Sequence, residues 1–115
     1  MKDALIMVAG GLAILTAVFH QVLGEIRLFP TIDLASVPRK PLLRLIWLNG
    51  SVAWIGLGIL LIMVPTFGSQ PARTWIVAIA VLVLGPAAIC AFFWKRDHPG
   101  WVLLSAVVGL ALAGL

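Results

Sequence analysis

Charge is scarce in this chain: eight basic and four acidic side chains stand among 115 residues, 10% of the whole. A soluble domain carries about a quarter charged residues and close to half apolar ones. Here 63% are hydrophobic and the mean hydropathy is +1.16, which excludes an ordinary water-soluble domain. Cysteine is nearly absent too. The one thiol, Cys90 in AICAFF, has no disulfide partner within the chain. Its apolar neighbours hold no base to activate it, so a packing role is expected. Also missing are a glycine-rich phosphate loop, paired carboxylates inside an apolar run, and a nucleophile beside a base. No internal repeat, low-complexity tract or second domain interrupts the pattern.

Four apolar runs fill the chain instead, at residues 4–23, 42–64, 75–94 and 101–115. A helix rising about 1.5 Å per residue needs roughly 20 apolar residues to cross a hydrocarbon core of about 30 Å. The first three runs reach that length. The fourth has 15 residues, which an upright helix or a locally thinned bilayer accommodates at modest cost. The pattern predicts an all-α integral membrane protein, a four-transmembrane-helix antiparallel bundle. It forms a single transmembrane domain over residues 1–115, with helices at about 4–24, 41–64, 73–94 and 98–115 and an inner-face loop over 25–40. The first run is too long for a cleaved leader and ends in His-Gln, so a retained helix is expected. Gly85-Pro86 should kink the third helix, and PTFGSQPAR reads as a plain turn. Asp97 should cap the fourth helix, with Pro99 in its first turn.

A net charge of +4 and a pI near 10.3 would suit nucleic acid, but the cations flank the apolar runs, so no nucleic-acid partner is expected. Four crossings put the first and third connections on one side with Arg27, Arg39, Lys40, Arg44, Lys95 and Arg96. Only Lys2 and Arg73 fall on the other. Cations in short connections favour the cytoplasmic face. Both termini are therefore expected outside the cytoplasm and connections 25–40 and 95–100 inside it, in a plasma membrane such as the bacterial inner membrane. Trp75, Trp94 and Trp101 fall where indoles anchor at the interface. The first connection, GEIRLFPTIDLASVPRKP, mixes apolar residues with charge and should lie along the headgroups.

Membrane helices associate through small residues and interhelical hydrogen bonds. Three stripes suit that purpose: Ala13, Thr16, Ala17, His20, Gly24 and Arg27 on the first helix; Asn49, Ala53 and Gly56 on the second; Ser105, Gly109 and Ala113 on the fourth. In helix number and length the chain resembles the small multidrug resistance transporters. Their glutamate midway along the first helix has no counterpart here, where Leu12, Ala13, Ile14 and Leu15 stand and Glu25 lies at the helix end. The resemblance implies architecture only.

The stretch FHQVLGEIRLFP, residues 19–30, ends the first run in polar groups. In an antiparallel hairpin His20 and Asn49 share a depth, roughly 7 Å below Glu25 and Arg44. Five residues turn a side chain by about 140°, so only one of these two pairs can occupy the seam. The small-residue stripes select His20 with Asn49. Arg44 then snorkels to the headgroups, Arg27 suits the helix C-terminus, and Glu25 turns to Arg39, Lys40 or Arg96. Trp47 and Trp54 share a face with Arg44, Ser51 and Gly58, and would stack on a flat or cationic ligand if they lined a cavity.

These residues argue more for binding than for catalysis. No cofactor is expected, although His20, His98, Glu25 and Asp97 leave haem or a metal conceivable. Expected partners are membrane lipids and another membrane protein or a second copy of the chain, as for an accessory or structural subunit. Two alternatives use the same polar residues. One is an oligomeric transporter or proton-coupled carrier titrating His20 and Glu25 at the inner mouth. The other is a membrane enzyme or cofactor-binding protein built on His20, Asn49 and His98.

Overall fold

The computed structural model describes residues 1–31, 40–94 and 96–115. They are all-helical. Helix α1 (Lys2–Leu23) runs without a break into a π turn (Gly24–Leu28) and a closing turn (Phe29–Thr31). Helix α2 (Lys40–Phe67), α3 (Gln70–Trp94) and α4 (Gly100–Ala113) follow. Three stretches are long and apolar enough to cross a membrane: Lys2–Leu28, Pro41–Phe67 and Gln70–Trp94. The fourth helix is apolar but shorter, at 14 residues.

Several boundaries differ from the sequence expectation. Residues 25–31 are helical rather than loop, and α2 continues through Pro65 to Phe67. Proline lacks only its own N–H, so near a helix end it removes a single bond. Gly68 then stops α2 with φ +62°, a left-handed conformation that glycine adopts without cost. Ser69 starts α3 directly: its Oγ accepts from the Ala72 amide at 3.5 Å and its carbonyl from Arg73 at 3.1 Å. Pro86 stands inside a continuous α3. At α4, His98 and not Asp97 supplies the capping atom, its Nδ1 accepting the Gly100 amide at 3.1 Å. Arg39, Lys95 and residues 32–39 of the first connection lie outside the described residues.

The helices form a ring in chain order, with α1 against α2 and α4, and α3 against its neighbours α2 and α4. Ala9, Ala13 and Ala17 of α1 are buried, and around them pack Leu57, Leu61 and Val64 of α2, Val77, Ala80 and Leu84 of α3, and Leu104, Val107 and Ala111 of α4. The closest crossing is between backbones. A Cβ added at Gly10 would lie 2.5 Å from the Gly58 carbonyl oxygen, and one at Gly58 would lie 2.7 Å from that of Gly10.

Of the expected stripe on α1, Ala13, Thr16, Ala17 and Gly24 are buried, His20 is half-buried and Arg27 is exposed. The stripes on α2 and α4 face the other way: Asn49, Ala53, Gly56, Ser105, Gly109 and Ala113 are all exposed. The small face of α1 is met by leucine and valine from its neighbours where the helices stand apart, and by Gly58 where α1 and α2 cross backbone to backbone.

The outer surface is as apolar as the interior. Only 22% of the best span window in α2 and in α3 is buried, and Leu15, Leu82 and Phe93 stand outward. Cys90 is also exposed, which corrects the packing role expected for it.

Candidate functional site

The polar groups of α1 and α2 meet at the end of the bundle that carries Glu25 and Arg44. The site begins with a missing side chain. Gly24 is buried against the Trp47 indole, and a Cβ there would overlap Nε1 of that ring. With no Cβ in the way, Trp47 lies flat against α1 and its Nε1 donates to the His20 carbonyl at 3.0 Å. That carbonyl stands where α1 opens into its π turn, the place where a helix loosens its own ladder. The indole thus satisfies an acceptor and holds the wide turn.

The same indole stacks on the His20 ring, with centroids 3.9 Å apart and planes 8° apart. Trp54 closes the ring's surroundings at 4.6 Å and 48°. So held, His20 Nδ1 meets Ser51 Oγ at 2.8 Å. Ser51 has one proton and two nearby acceptors, Gln21 Oε1 at 3.0 Å and the Trp47 carbonyl at 3.4 Å. The shorter bond goes to Gln21, so Ser51 donates to Gln21 Oε1 while bonding the His20 ring at Nδ1, and the three side chains form one hydrogen-bonded chain. This direction leaves the Gln21 amide N–H groups pointing onward as donors.

His20 is therefore partnered by Ser51 and not by Asn49, which is exposed. Glu25 and Arg44 are brought together as well, at 2.5 Å between Oε2 and Nη2, where Arg39, Lys40 or Arg96 was the expected partner. Both pairs fit one seam for two reasons. Arg44 and Ser51 are seven residues apart, two full turns, and so share a face of α2. The π turn also underwinds α1 just where Glu25 follows His20, reducing the angle between them. Arg44 further lies over the Phe29 ring at 5.6 Å, and Phe29 meets Trp47 edge-on.

Trp47 and Trp54 are thus partners of His20. Arg27 sits exposed on the π turn. His98 belongs elsewhere: besides capping α4, its ring lies 5.9 Å from Phe19, which leaves α1 about 100° away from His20. The three residues of the enzyme alternative, His20, Asn49 and His98, are not bonded to one another. Among the described residues no three of His, Cys, Asp and Glu gather in a metal-holding group.

Ser51 is the residue that sequence reasoning missed. Its signal was the shared face of Arg44, Trp47, Ser51, Trp54 and Gly58, which is the true seam of α2. A serine bonded to a histidine has the first two parts of a nucleophile–base pair. Here Ser51 is 3% exposed and covered by the ring that would activate it.

Beside this network, Gln21, Glu25, Pro41, Arg44, Leu45 and Leu48 line a shallow open groove of about 410 Å³ between α1 and α2. Its rim is charged and its floor apolar. No family model, curated protein or solved structure matches this chain.

Proposed function

We propose that this chain is a small polytopic integral membrane protein that binds lipid at its basic end, an accessory module rather than a carrier or an enzyme. The membrane reading is supported by three spans' worth of apolar helix whose outer faces would be costly to hydrate. Monomeric soluble proteins rarely expose contiguous apolar patches above a few hundred Å². Trp75 and Trp94 bracket α3 at a separation of about 28 Å along the axis, close to the hydrocarbon thickness of about 30 Å. The six-to-two division of cations supports a bundle with both termini outside and the connections at 25–40 and 95–100 in the cytoplasm.

One observation carries the binding reading. The interior polar groups are bonded to each other, and no buried side-chain nitrogen or oxygen among the described residues lacks a partner. The Glu25–Arg44 pair instead faces outward over the groove, with side chains 40% and 49% exposed. A carrier needs an ionisable group that water and substrate can reach within the membrane, and a nucleophile must reach its substrate. His20 and Ser51 are turned toward each other.

Two measurements test this. Membranes washed in alkaline carbonate should retain the protein, and amine labelling of intact cells should spare Lys40 and Lys95; release by carbonate overturns the membrane reading, and labelling of both lysines from outside overturns the orientation. Protein purified in mild detergent should carry phospholipid that solvent extraction recovers and whose return raises the melting temperature. A lipid-free protein whose melting ignores added lipid overturns the binding reading.

A further inference from the structure

We infer that the groove between α1 and α2 is a site for a phospholipid whose headgroup pairs a phosphate with a primary ammonium, as in phosphatidylethanolamine. The inference rests on the membrane-binding reading above and specifies its ligand. The groove has a counterpart for each portion of such a molecule. Leu45 and Leu48, 61% and 43% exposed on α2, offer an apolar track for an acyl chain. Arg44 stands directly above that track on the same helix, at the level where the phosphate of a lipid lying on Leu45 and Leu48 must fall. Glu25 lies across the groove on α1, paired with Arg44 at 2.5 Å, so an amine two carbons from a phosphate held by Arg44 reaches its carboxylate.

Among the described residues, both charged side chains keep open bonding capacity. Arg44 donates to Glu25 through Nη2, leaving its Nη1 and Nε hydrogens for a phosphate oxygen. Glu25 accepts on Oε2, leaving Oε1 for an ammonium. Gln21, held by Ser51 through its carbonyl oxygen, adds amide donors from the groove wall. The pair also sets the selectivity. Arg44 is not a lone cation, because Glu25 neutralises it at 2.5 Å. A headgroup without an ammonium can bond its phosphate to Arg44 but brings no donor cation for the Glu25 carboxylate. A choline headgroup can donate no hydrogen bond to that carboxylate, and the indoles that might cage it, Trp47 and Trp54, are turned to His20. A primary ammonium with its phosphate satisfies both residues.

The test is native mass spectrometry of the full chain in detergent with equimolar phosphatidylethanolamine, phosphatidylcholine and phosphatidylglycerol. A preference of about tenfold for the ethanolamine lipid is expected, the scale of one charge-assisted hydrogen bond. Glu25→Gln should erase that preference, and Arg44→Gln should weaken all three lipids. Because either change breaks the ion pair, the exchange E25R with R44E supplies the decisive variant: it keeps the pair but sets an anion above Leu45 and Leu48, and should lose the preference while melting as the parent does. Equal binding of the three lipids, preference for the glycerol lipid, or a preference that survives the exchange overturns the inference. Soluble glycerophosphoethanolamine should not compete; competition as strong as the lipid's would assign the site to a free headgroup and overturn the lipid assignment. A protein that needs detergent yet binds lipids indiscriminately refutes this inference alone, whereas one freely soluble without detergent refutes the membrane reading beneath it.

Discussion

His20 shows how far single residues could be read in advance. A histidine at the end of an apolar run requires a companion, and that requirement is met. Its identity depended on which face of α2 turns inward, and two stripes competed for that place. Asn49, Ala53 and Gly56 offered small size; Arg44, Trp47, Ser51, Trp54 and Gly58 offered a seven-residue repeat with a glycine at the crossing. The second stripe carries Gly58, which meets Gly10 backbone to backbone, so that stripe is inward and Ser51 receives the ring. A double-mutant cycle tests the pairing. His20→Leu and Ser51→Ala should be non-additive by about 0.5–1 kcal/mol in detergent melting, the scale of interhelical hydrogen bonds in membranes. His20→Leu with Asn49→Leu should be additive. Coupling to Asn49 and none to Ser51 would return the seam to the stripe that lies outside.

At the scale of elements, the existence of four helices was legible, because hydropathy over about 20 residues is a strong signal carried by three runs, and a shorter apolar run of 15 residues follows them. Their ends and rotations were not. The π turn of Gly24–Leu28 has no composition of its own, since it arises from the fit of Gly24 to the Trp47 indole, a contact 23 residues away in sequence. Helix rotation was obscured for a related reason: every face of α2 is apolar or small, and only the partner decides which side is used. Gly56 and Gly58, two residues apart, separate the two faces experimentally. A methyl at Gly58 would sit 2.7 Å from the Gly10 carbonyl oxygen and 2.6 Å from Ile14 Cγ1, and the carbonyl cannot yield without moving α1. Gly58→Ala should therefore destabilise by about 1–3 kcal/mol, the usual cost of overpacking. A methyl at Gly56 meets nothing within 4 Å, and Gly56→Ala should be neutral or stabilising by up to about 1 kcal/mol through helix propensity. Equal effects of the two changes in thermal melting would mean that α2 is not rotated as described.

The whole molecule is closed at its other end by a residue whose sequence context gave no hint of it. Arg73 stood in what read as a plain turn, notable only for its charge. Its side chain is 15% exposed, forms an ion pair with Asp3 of α1, and donates from Nη1 to the Gly114 carbonyl beyond α4 at 2.8 Å. Three helices meet through one guanidinium. The placement is electrostatically apt: Asp3 lies in the first turn of α1, where an anion is favoured, and Gly114 presents a carbonyl that the end of α4 leaves unpaired. The contact also answers the shortness of α4. Fourteen residues rise only about 20 Å, less than α3 spans between its tryptophans, and Arg73 reaches from α3 to the carbonyl just past the last turn of α4. Gly114 makes the junction tight, since a Cβ on it would lie 2.9 Å from the Lys2 carbonyl oxygen. Replacing Arg73 with leucine should then cost about 1–3 kcal/mol, in the range of hydrogen bonds to charged groups. It should also raise amide exchange selectively in the last turn of α4. Arg73→Lys keeps the charge but has no planar fork to hold a carboxylate and a carbonyl at once, so it should fall between the parent and Arg73→Leu. Asp3→Asn should cost least, because Asp3 is 55% exposed and the Gly114 bond survives it. The order of these three losses is the discriminating result: if Asp3→Asn proved as damaging as Arg73→Leu, the ion pair alone would hold this end, and the bond to Gly114 would contribute nothing to keeping a short fourth helix in the ring.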